Sequence, residues 1–157
     1  MVILSRNKMK KPLFGEYECK VDAKGRFLFP SVLLSFFSEE EQNEFVINKG
    51  MDSCLVLYPL KVWEQEIEKI YAKNQFIEKN RAFARMFQSG AQPVHLDNQK
   101  RILIPKKLIE TAEIHGDIVL IGAYDRIEIW AKEKFEKWLE QNQSSFANLS
   151  EEVMKDE

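Results

Sequence analysis

The sequence has few of the residues that cross-link a chain, bind metals or catalyse reactions. Its 157 residues include two cysteines, Cys19 and Cys54, and two histidines, His95 and His115. The cysteines lack a CxxC spacing, so we expect reduced thiols in a cytoplasmic protein. The histidines lack a metal-ligand spacing such as HExxH, and no P-loop, dinucleotide or G-x-S-x-G fingerprint occurs. These gaps disfavour an enzyme, and we expect neither cofactor nor metal.

Long hydrophobic runs and a large net charge are also missing. The longest apolar stretches, such as residues 118–121, are as short as strands and cannot span a membrane. With 45% hydrophobic and 31% charged residues, the composition is typical of a soluble globular protein. The formal net charge is only −2, but residues 1–30 hold seven basic groups against three acidic ones, a local balance of +4. Such local charge can attract a polyanion.

A nine-residue pattern occurs twice. Asp22-Ala-Lys-Gly-Arg26-Phe-Leu-Phe-Pro30 returns 75 residues later as Asp97-Asn-Gln-Lys-Arg101-Ile-Leu-Ile-Pro105. The matches continue beyond it at an offset of 72, from Gly50 and Gly122 onward, so the halves differ by a small change in loop length. Neither half has enough alternating surface to close a core alone. Two halves that bury each other's strands predict a β-rich α+β body with pseudo-twofold symmetry.

The predicted elements follow the same order in both halves: strand, turn, strand, helical turn, hairpin and helix. The predicted strands are residues 16–21, 27–29, 45–48, 54–57, 92–96, 102–104, 118–121 and 127–130, and the predicted helical turns are 31–37 and 106–112. We divide the chain into a basic N-terminal arm (1–12), a first half (13–74), a bridging helix (75–89), a second half (90–141) and a flexible acidic tail (142–157).

The repeated turn has two interpretations. An Asp at its start can accept backbone N–H groups, Gly25 can take a positive φ, and Arg26 then presents a five-donor fork suited to phosphate or guanine. In the second copy Lys100 replaces the glycine, at a cost of about 1 kcal/mol if φ is positive there. The alternative is that each Asp forms an ion pair with its Arg and that this pair only stabilises a hairpin. The duplication of the motif does not by itself decide between these two interpretations.

Six segments of the chain resemble the MraZ family of bacterial regulators, which have two AbrB-like half-domains. The similar segments, spread over about residues 13–140, are Phe14-Gly-Glu-Tyr17, Asp22-Ala-Lys-Gly-Arg26, Gly50-Met-Asp-Ser-Cys-Leu-Val-Leu-Tyr-Pro59, Phe87-Gln-Ser-Gly-Ala91, residues 97–105 and Arg126-Ile-Glu-Ile-Trp130. Two departures are Lys100 in place of the usual glycine and the extension that precedes Leu13.

The resemblance implies a swapped-hairpin barrel flanked by helices, ring-like homo-oligomers and binding to direct repeats in a promoter. It also implies control, often repression, of the division and cell-wall gene cluster by a cytoplasmic, nucleoid-associated protein. The family contacts double-stranded DNA through these turns. The corresponding DNA-binding residues here are Asp22, Lys24, Gly25, Arg26, Asp97, Lys100 and Arg101.

Two other function classes compete with DNA binding. For an enzyme, Glu64, Glu66 and Glu68 are candidate carboxylates, but they alternate along a predicted helix and so do not converge on one face. A protein-interaction module such as an AbrB-like antitoxin is the stronger alternative. The short acidic tail, which is poor in large apolar anchors, and the covalent duplication disfavour it.

Overall fold

The structure is a computed structural model that describes residues 11–155, so most of the predicted N-terminal arm lies outside the described residues. The strands are β1 (Glu16–Lys20), β2 (Arg26–Leu28), β3 (Phe45–Lys49), β4 (Leu55–Pro59), β5 (Gln92–Val94), β6 (Arg101–Leu103), β7 (Asp117–Ala123) and β8 (Arg126–Ala131). The α-helices are α1 (Ser31–Leu34), α2 (Leu60–Tyr71), α3 (Glu78–Gln88), α4 (Lys106–Thr111), α5 (Lys132–Asn142) and α6 (Phe146–Lys155), with 3-10 turns at Glu41–Asn43 and Gln143–Ser145.

The two halves exchange strands, as the repeat predicts. The main sheet has the order β1-β7-β8-β4-β3-β5, so the first strand of each half pairs with the hairpin of the other half. Strands β4 and β8 join the two hairpins at the centre. If β1–β4 are exchanged with β5–β8, the same strand order results, read from the opposite edge of the sheet. This symmetry confirms the pseudo-twofold arrangement.

A second sheet consists of β2 and β6 alone, one strand from each half, and we call it the ribbon. The hydrogen-bonded strands of residues 11–155 form these two sheets, not one closed barrel. Side chains from both sheets make one buried cluster, in which Phe27 and Ile102 of the ribbon meet Ile47 and Leu120 of the main sheet. The apolar residue at the centre of each ribbon strand therefore anchors the ribbon to the core.

The segment predicted as a helix over 75–89 contains α3, which begins three residues later and spans Glu78–Gln88. The fully buried Asn48 donates its amide N–H to the Phe87 carbonyl at 2.7 Å. The rings of Trp63 and Phe87 stack with their centroids 5.7 Å apart. These contacts fix α3 against β3 and α2.

The prediction of an irregular tail was wrong for residues 146–155, which form α6. Phe146, Leu149 and Val153 recur at helical spacing, a pattern that the neighbouring Asn and Ser residues obscured. Every residue of α6 is exposed, so none of its apolar side chains is buried in the core of the chain. None of the helices in the described part of the chain is long and apolar enough to cross a membrane.

Candidate nucleic-acid interface

The two repeated turns have the same backbone hydrogen bonds. In the first, the Asp22 N–H donates to the Arg26 carbonyl at 2.8 Å and the Gly25 N–H donates to the Asp22 carbonyl at 3.0 Å. In the second, the Asp97 N–H donates to the Arg101 carbonyl at 2.9 Å and the Lys100 N–H donates to the Asp97 carbonyl at 3.0 Å. The two turns are therefore equivalent in backbone structure despite the replacement of glycine by lysine.

Each aspartate organises its turn through one carboxylate oxygen. Asp22 Oδ1 accepts the backbone N–H groups of Lys24 and Arg26 at 3.0 and 2.9 Å. Asp97 Oδ1 accepts those of Gln99 and Arg101 at 2.8 and 2.9 Å. The backbone N–H of the arginine is the main cause that lowers the pKa of each carboxyl, and the guanidinium and the second N–H add to it. Both carboxylates are thus ionised at neutral pH.

The second carboxylate oxygen holds the arginine side chain. Arg26 Nε donates to Asp22 Oδ2 at 3.0 Å, and Arg101 Nε donates to Asp97 Oδ2 at 2.9 Å. The pairing expected by the structural interpretation is therefore present. It engages only Nε, since no residue within 11–155 accepts a hydrogen bond from Nη1 or Nη2 of either arginine. Both side chains are 29% exposed, so the pairs are not hidden from solvent.

The residue before each arginine has a left-handed backbone. The φ angle is +91° at Gly25 and +63° at Lys100. A Cβ on Gly25 would lie 3.1 Å from the Ile104 carbonyl oxygen, a tight contact. The Lys100 side chain reaches across to the other half, where Nζ donates to Gln42 Oε1 at 3.4 Å. The sequence left open whether the backbone at Lys100 is strained or the turn has a different shape, and it gave no sign of the contact with Gln42.

The ribbon places both arginines on one face. Its antiparallel register sets Arg26 opposite Leu103 and Leu28 opposite Arg101. Opposite residues, and residues two apart on one strand, project to the same side of a sheet. We call the outward side of Arg26, Leu28, Arg101 and Leu103 the ribbon face. The repeat predicted two turns in related positions, but it did not predict that both arginines would lie on the ribbon face.

The exposed leucines of the ribbon face are the residues that sequence reasoning missed. Each copy of the motif reads as three consecutive apolar residues after the arginine, residues 27–29 and 102–104, which conceals the alternation of the strand. Only the invariant Leu at the same offset in both copies gave a signal. The structure buries the neighbours on either side and exposes Leu28 and Leu103.

The candidate residues of an enzyme do not converge on one site. Glu66 belongs to an ion-pair cluster, with its carboxylate 3.5 Å from Arg126 and 3.2 Å from Lys69, whereas Glu64 and Glu68 have no recorded ion-pair partner among the described residues. Across residues 11–155, no group of three or more His, Cys, Asp or Glu residues has a geometry suited to a metal ion.

The surface also contains exposed apolar groups away from the ribbon. Met51, Phe83 and Met86 border a cleft of about 420 Å³ between α3 and the main sheet. The apolar side of α6 presents four more exposed side chains, namely Phe146, Leu149, Val153 and Met154. Exposed apolar patches of this kind are typical of surfaces that bind another protein or another copy of the chain.

A protein-family model described as "MraZ protein, putative antitoxin-like" matches the chain twice in succession, over residues 13–88 and 86–157. A protein named "Transcriptional regulator MraZ" from Christiangramia forsetii is 43% identical over 143 residues, which are 90% of this chain and 92% of the relative. Proteins with the same name from Flavobacterium psychrophilum and Clostridium acetobutylicum are 41% and 45% identical, over 90% and 83% of this chain and 91% and 87% of the relatives. The chain, with its two successive copies of the strand-exchanging half, belongs to the MraZ family.

Proposed function

We propose that the chain is a transcriptional regulator that binds double-stranded DNA in a sequence-specific manner, without a cofactor. The observation that carries the proposal is the ribbon face, which holds two arginines whose Nη atoms have no hydrogen-bond acceptor among residues 11–155. In this proposal Arg26 and Arg101 enter the groove, Lys24 and Lys100 neutralise phosphates, and Gly25 and the aspartates hold the turns in shape. The names of the relatives support a regulator of transcription and not an enzyme.

The dimensions of the ribbon suit the major groove. That groove is about 12 Å wide and admits a two-stranded ribbon. With a rise of about 3.3 Å per residue and about 4.8 Å between strands, the Cα atoms of Arg26 and Arg101 lie roughly 8 Å apart. Because successive base pairs are about 3.4 Å apart, both arginines of one chain reach bases within the same short box.

The aspartates prepare the arginines for this contact. Each carboxylate accepts a hydrogen bond from Nε, and no residue within 11–155 accepts one from Nη1 or Nη2, which can form paired hydrogen bonds with guanine O6 and N7. A side chain that is already held loses less conformational entropy on binding. The structural and functional interpretations of the motif are thus compatible. Asp22 and Asp97 stabilise the turns, and the same carboxylates hold the guanidinium groups in place for a contact with DNA.

One chain has too few cations for tight binding at cellular salt. We propose that a ring-like homo-oligomer engages several promoter boxes at once, which raises affinity through effective concentration. The exposed apolar groups beside α3 and on α6 support self-association. Repression of the division and cell-wall gene cluster by a nucleoid-associated protein is the corresponding proposal for its target, based on the family resemblance.

Footprinting on the DNA upstream of its own gene tests this function. We expect the wild-type protein to protect a series of repeated boxes and the double variant Arg26→Ala/Arg101→Ala to protect none. Arg85→Ala is the matched control, since Arg85 is an exposed arginine on α3, away from the ribbon. A probe with one box should bind far more weakly than one with several. Equal affinity for the two probes would count against the ring.

A second candidate is a protein-interaction module of the antitoxin kind, and the unpartnered apolar side of α6 is the observation that favours it. The description of the family model also contains the term antitoxin-like. If this candidate holds, purification from the native host recovers an unrelated protein in stoichiometric amount, and a chain that ends at residue 145 loses it. Recovery of the chain alone supports the DNA-binding proposal.

A further inference from the structure

The ribbon exposes two large apolar side chains in the midst of charged groups. Leu28 is 62% and Leu103 is 53% exposed, while Phe27 and Ile102, their neighbours on the same strands, are 1% and 0% exposed. A leucine that is more than half exposed forgoes much of the stability that its burial would give. Their symmetric placement, one from each copy of the repeat, indicates a binding surface.

Each leucine lies beside the repeated turn of the other half. The register places Leu103 opposite Arg26 and Leu28 opposite Arg101. A Leu103 methyl carbon, Cδ1, is 3.5 Å from the position that a Cβ on Gly25 would occupy. Each end of the ribbon face therefore combines an arginine from one half with a leucine from the other.

The charge around the leucines favours a polyanion over a second copy of the ribbon. The two turns contain four cationic side chains against two carboxylates, namely Lys24, Arg26, Lys100 and Arg101 against Asp22 and Asp97. Two ribbon faces placed against each other would bring these cations together, which is unfavourable. A DNA groove supplies the opposite charge.

The major groove contains one prominent apolar group, the C5-methyl group of thymine, while the other groups on the base edges are donors and acceptors. We propose that Leu28 and Leu103 contact thymine methyl groups next to the bases that Arg101 and Arg26 engage. The leucines thereby select for thymine within one or two base pairs of each arginine contact, since opposite residues lie about 5 Å apart and base pairs are stacked every 3.4 Å. This inference rests on the proposed function, because it takes the ribbon face as the DNA-binding surface.

Deoxyuridine tests the contact, because it differs from thymidine only by the missing methyl group. The experiment compares binding of the footprinted promoter duplex with thymine against the same duplex with uracil, measured by fluorescence anisotropy. For the wild-type protein we expect about fourfold weaker binding for each contacted methyl that is removed, the factor that corresponds to burial of one methyl-sized group. For Leu28→Ala/Leu103→Ala we expect equal affinity for the two duplexes.

Two further variants separate this role from a general loss of structure. Leu28→Met/Leu103→Met keeps long apolar side chains and should retain the preference for thymine. Leu139→Ala changes an exposed leucine on α5, away from the ribbon, and should behave like the wild type. Because Leu28 and Leu103 are exposed, we expect the alanine variant to unfold at the same temperature as the wild type.

The outcomes distinguish this inference from the proposed function. Equal binding of thymine and uracil duplexes by the wild-type protein overturns the methyl contact and leaves DNA binding in place. Failure to bind any duplex overturns both. If the alanine variant keeps the thymine preference and instead changes the mass of the oligomer, the leucines form a contact between subunits and the inference is wrong.

Discussion

Lys100→Gly should stabilise the fold and weaken DNA binding at the same time. Lys100 has a φ of +63°, where a residue with a Cβ is strained by about 1–2 kcal/mol and glycine is not. Glycine also gives the unfolded chain more freedom, which costs about 0.4–1 kcal/mol. The difference of the two midpoints is a net gain of about 0.8 kcal/mol, which corresponds to a rise in Tm of roughly 2–3 °C for a chain of this size. The exposed contact with Gln42, at 3.4 Å, is too long to offset this gain.

The same variant removes one cation from the proposed DNA-binding surface. We expect a lower affinity for all duplexes and a decrease of about one unit in the slope of log K against log salt. Thermal unfolding followed by circular dichroism, together with anisotropy titrations at several salt concentrations, measures both effects.

Lys24→Gly is the matched control. Lys24 occupies the first turn but has no left-handed backbone to relieve, so the change should lower stability by about 0.5–1 kcal/mol while it reduces the salt slope equally. A decrease in Tm for Lys100→Gly would refute the assignment of strain to Lys100. An unchanged salt slope for both variants would refute the phosphate contacts.

Three further predictions concern the turns, the ion pairs and the thiols. Because the pKa of Asp22 and of Asp97 lies below the ordinary value of 3.8, each stabilises the fold above that value, and the stability is lost as the pH falls through the lower folded pKa. The free energy of unfolding of Asp22→Asn/Asp97→Asn should thus fall less than that of the wild type in denaturant titrations between about pH 5 and about pH 2. Arg126→Ala should lower the free energy of unfolding by about 1–2 kcal/mol, because it removes a guanidinium that is 3.5 Å from the mostly buried carboxylate of Glu66, and it should not change DNA affinity. Burial raises the pKa of the Cys54 thiol to about 12, so alkylation at pH 8 should be slow in the native protein and fast in denaturant.

The repeat made the fold largely predictable from sequence. Alternation and short runs of apolar residues located the strands to within one or two positions, and the two proline positions located the starts of α1 and α4. The need of each half to bury its strands predicted the exchange between halves. What the pattern could not give is the register, because the pairing of β2 with β6 depends on contacts between residues 73 to 77 positions apart.

The sequence predicted the two repeated turns but not their detailed shape. Asp22 and Arg26 were identified from their repetition, yet the sequence left open whether they pair or bind DNA. The structure shows that Nε pairs while both Nη atoms stay free of protein acceptors within residues 11–155, a distinction between atoms of one side chain that no sequence pattern contains. The leucines and the helix at Phe146–Lys155 were missed because apolar neighbours and small polar residues masked their periodicity.

The most direct test of the central claim is the affinity of the arginine variants for the promoter duplex at physiological salt. If the free Nη edges of the ribbon read bases, Arg26→Ala and Arg101→Ala should each bind about 10–100-fold more weakly than the wild type, the loss expected for one paired contact with a base. Their Tm should stay within a few degrees of that of the wild type, because an exposed ion pair contributes only about 0–1 kcal/mol. Wild-type affinity in both variants would contradict the account, as would a loss of binding that only follows unfolding.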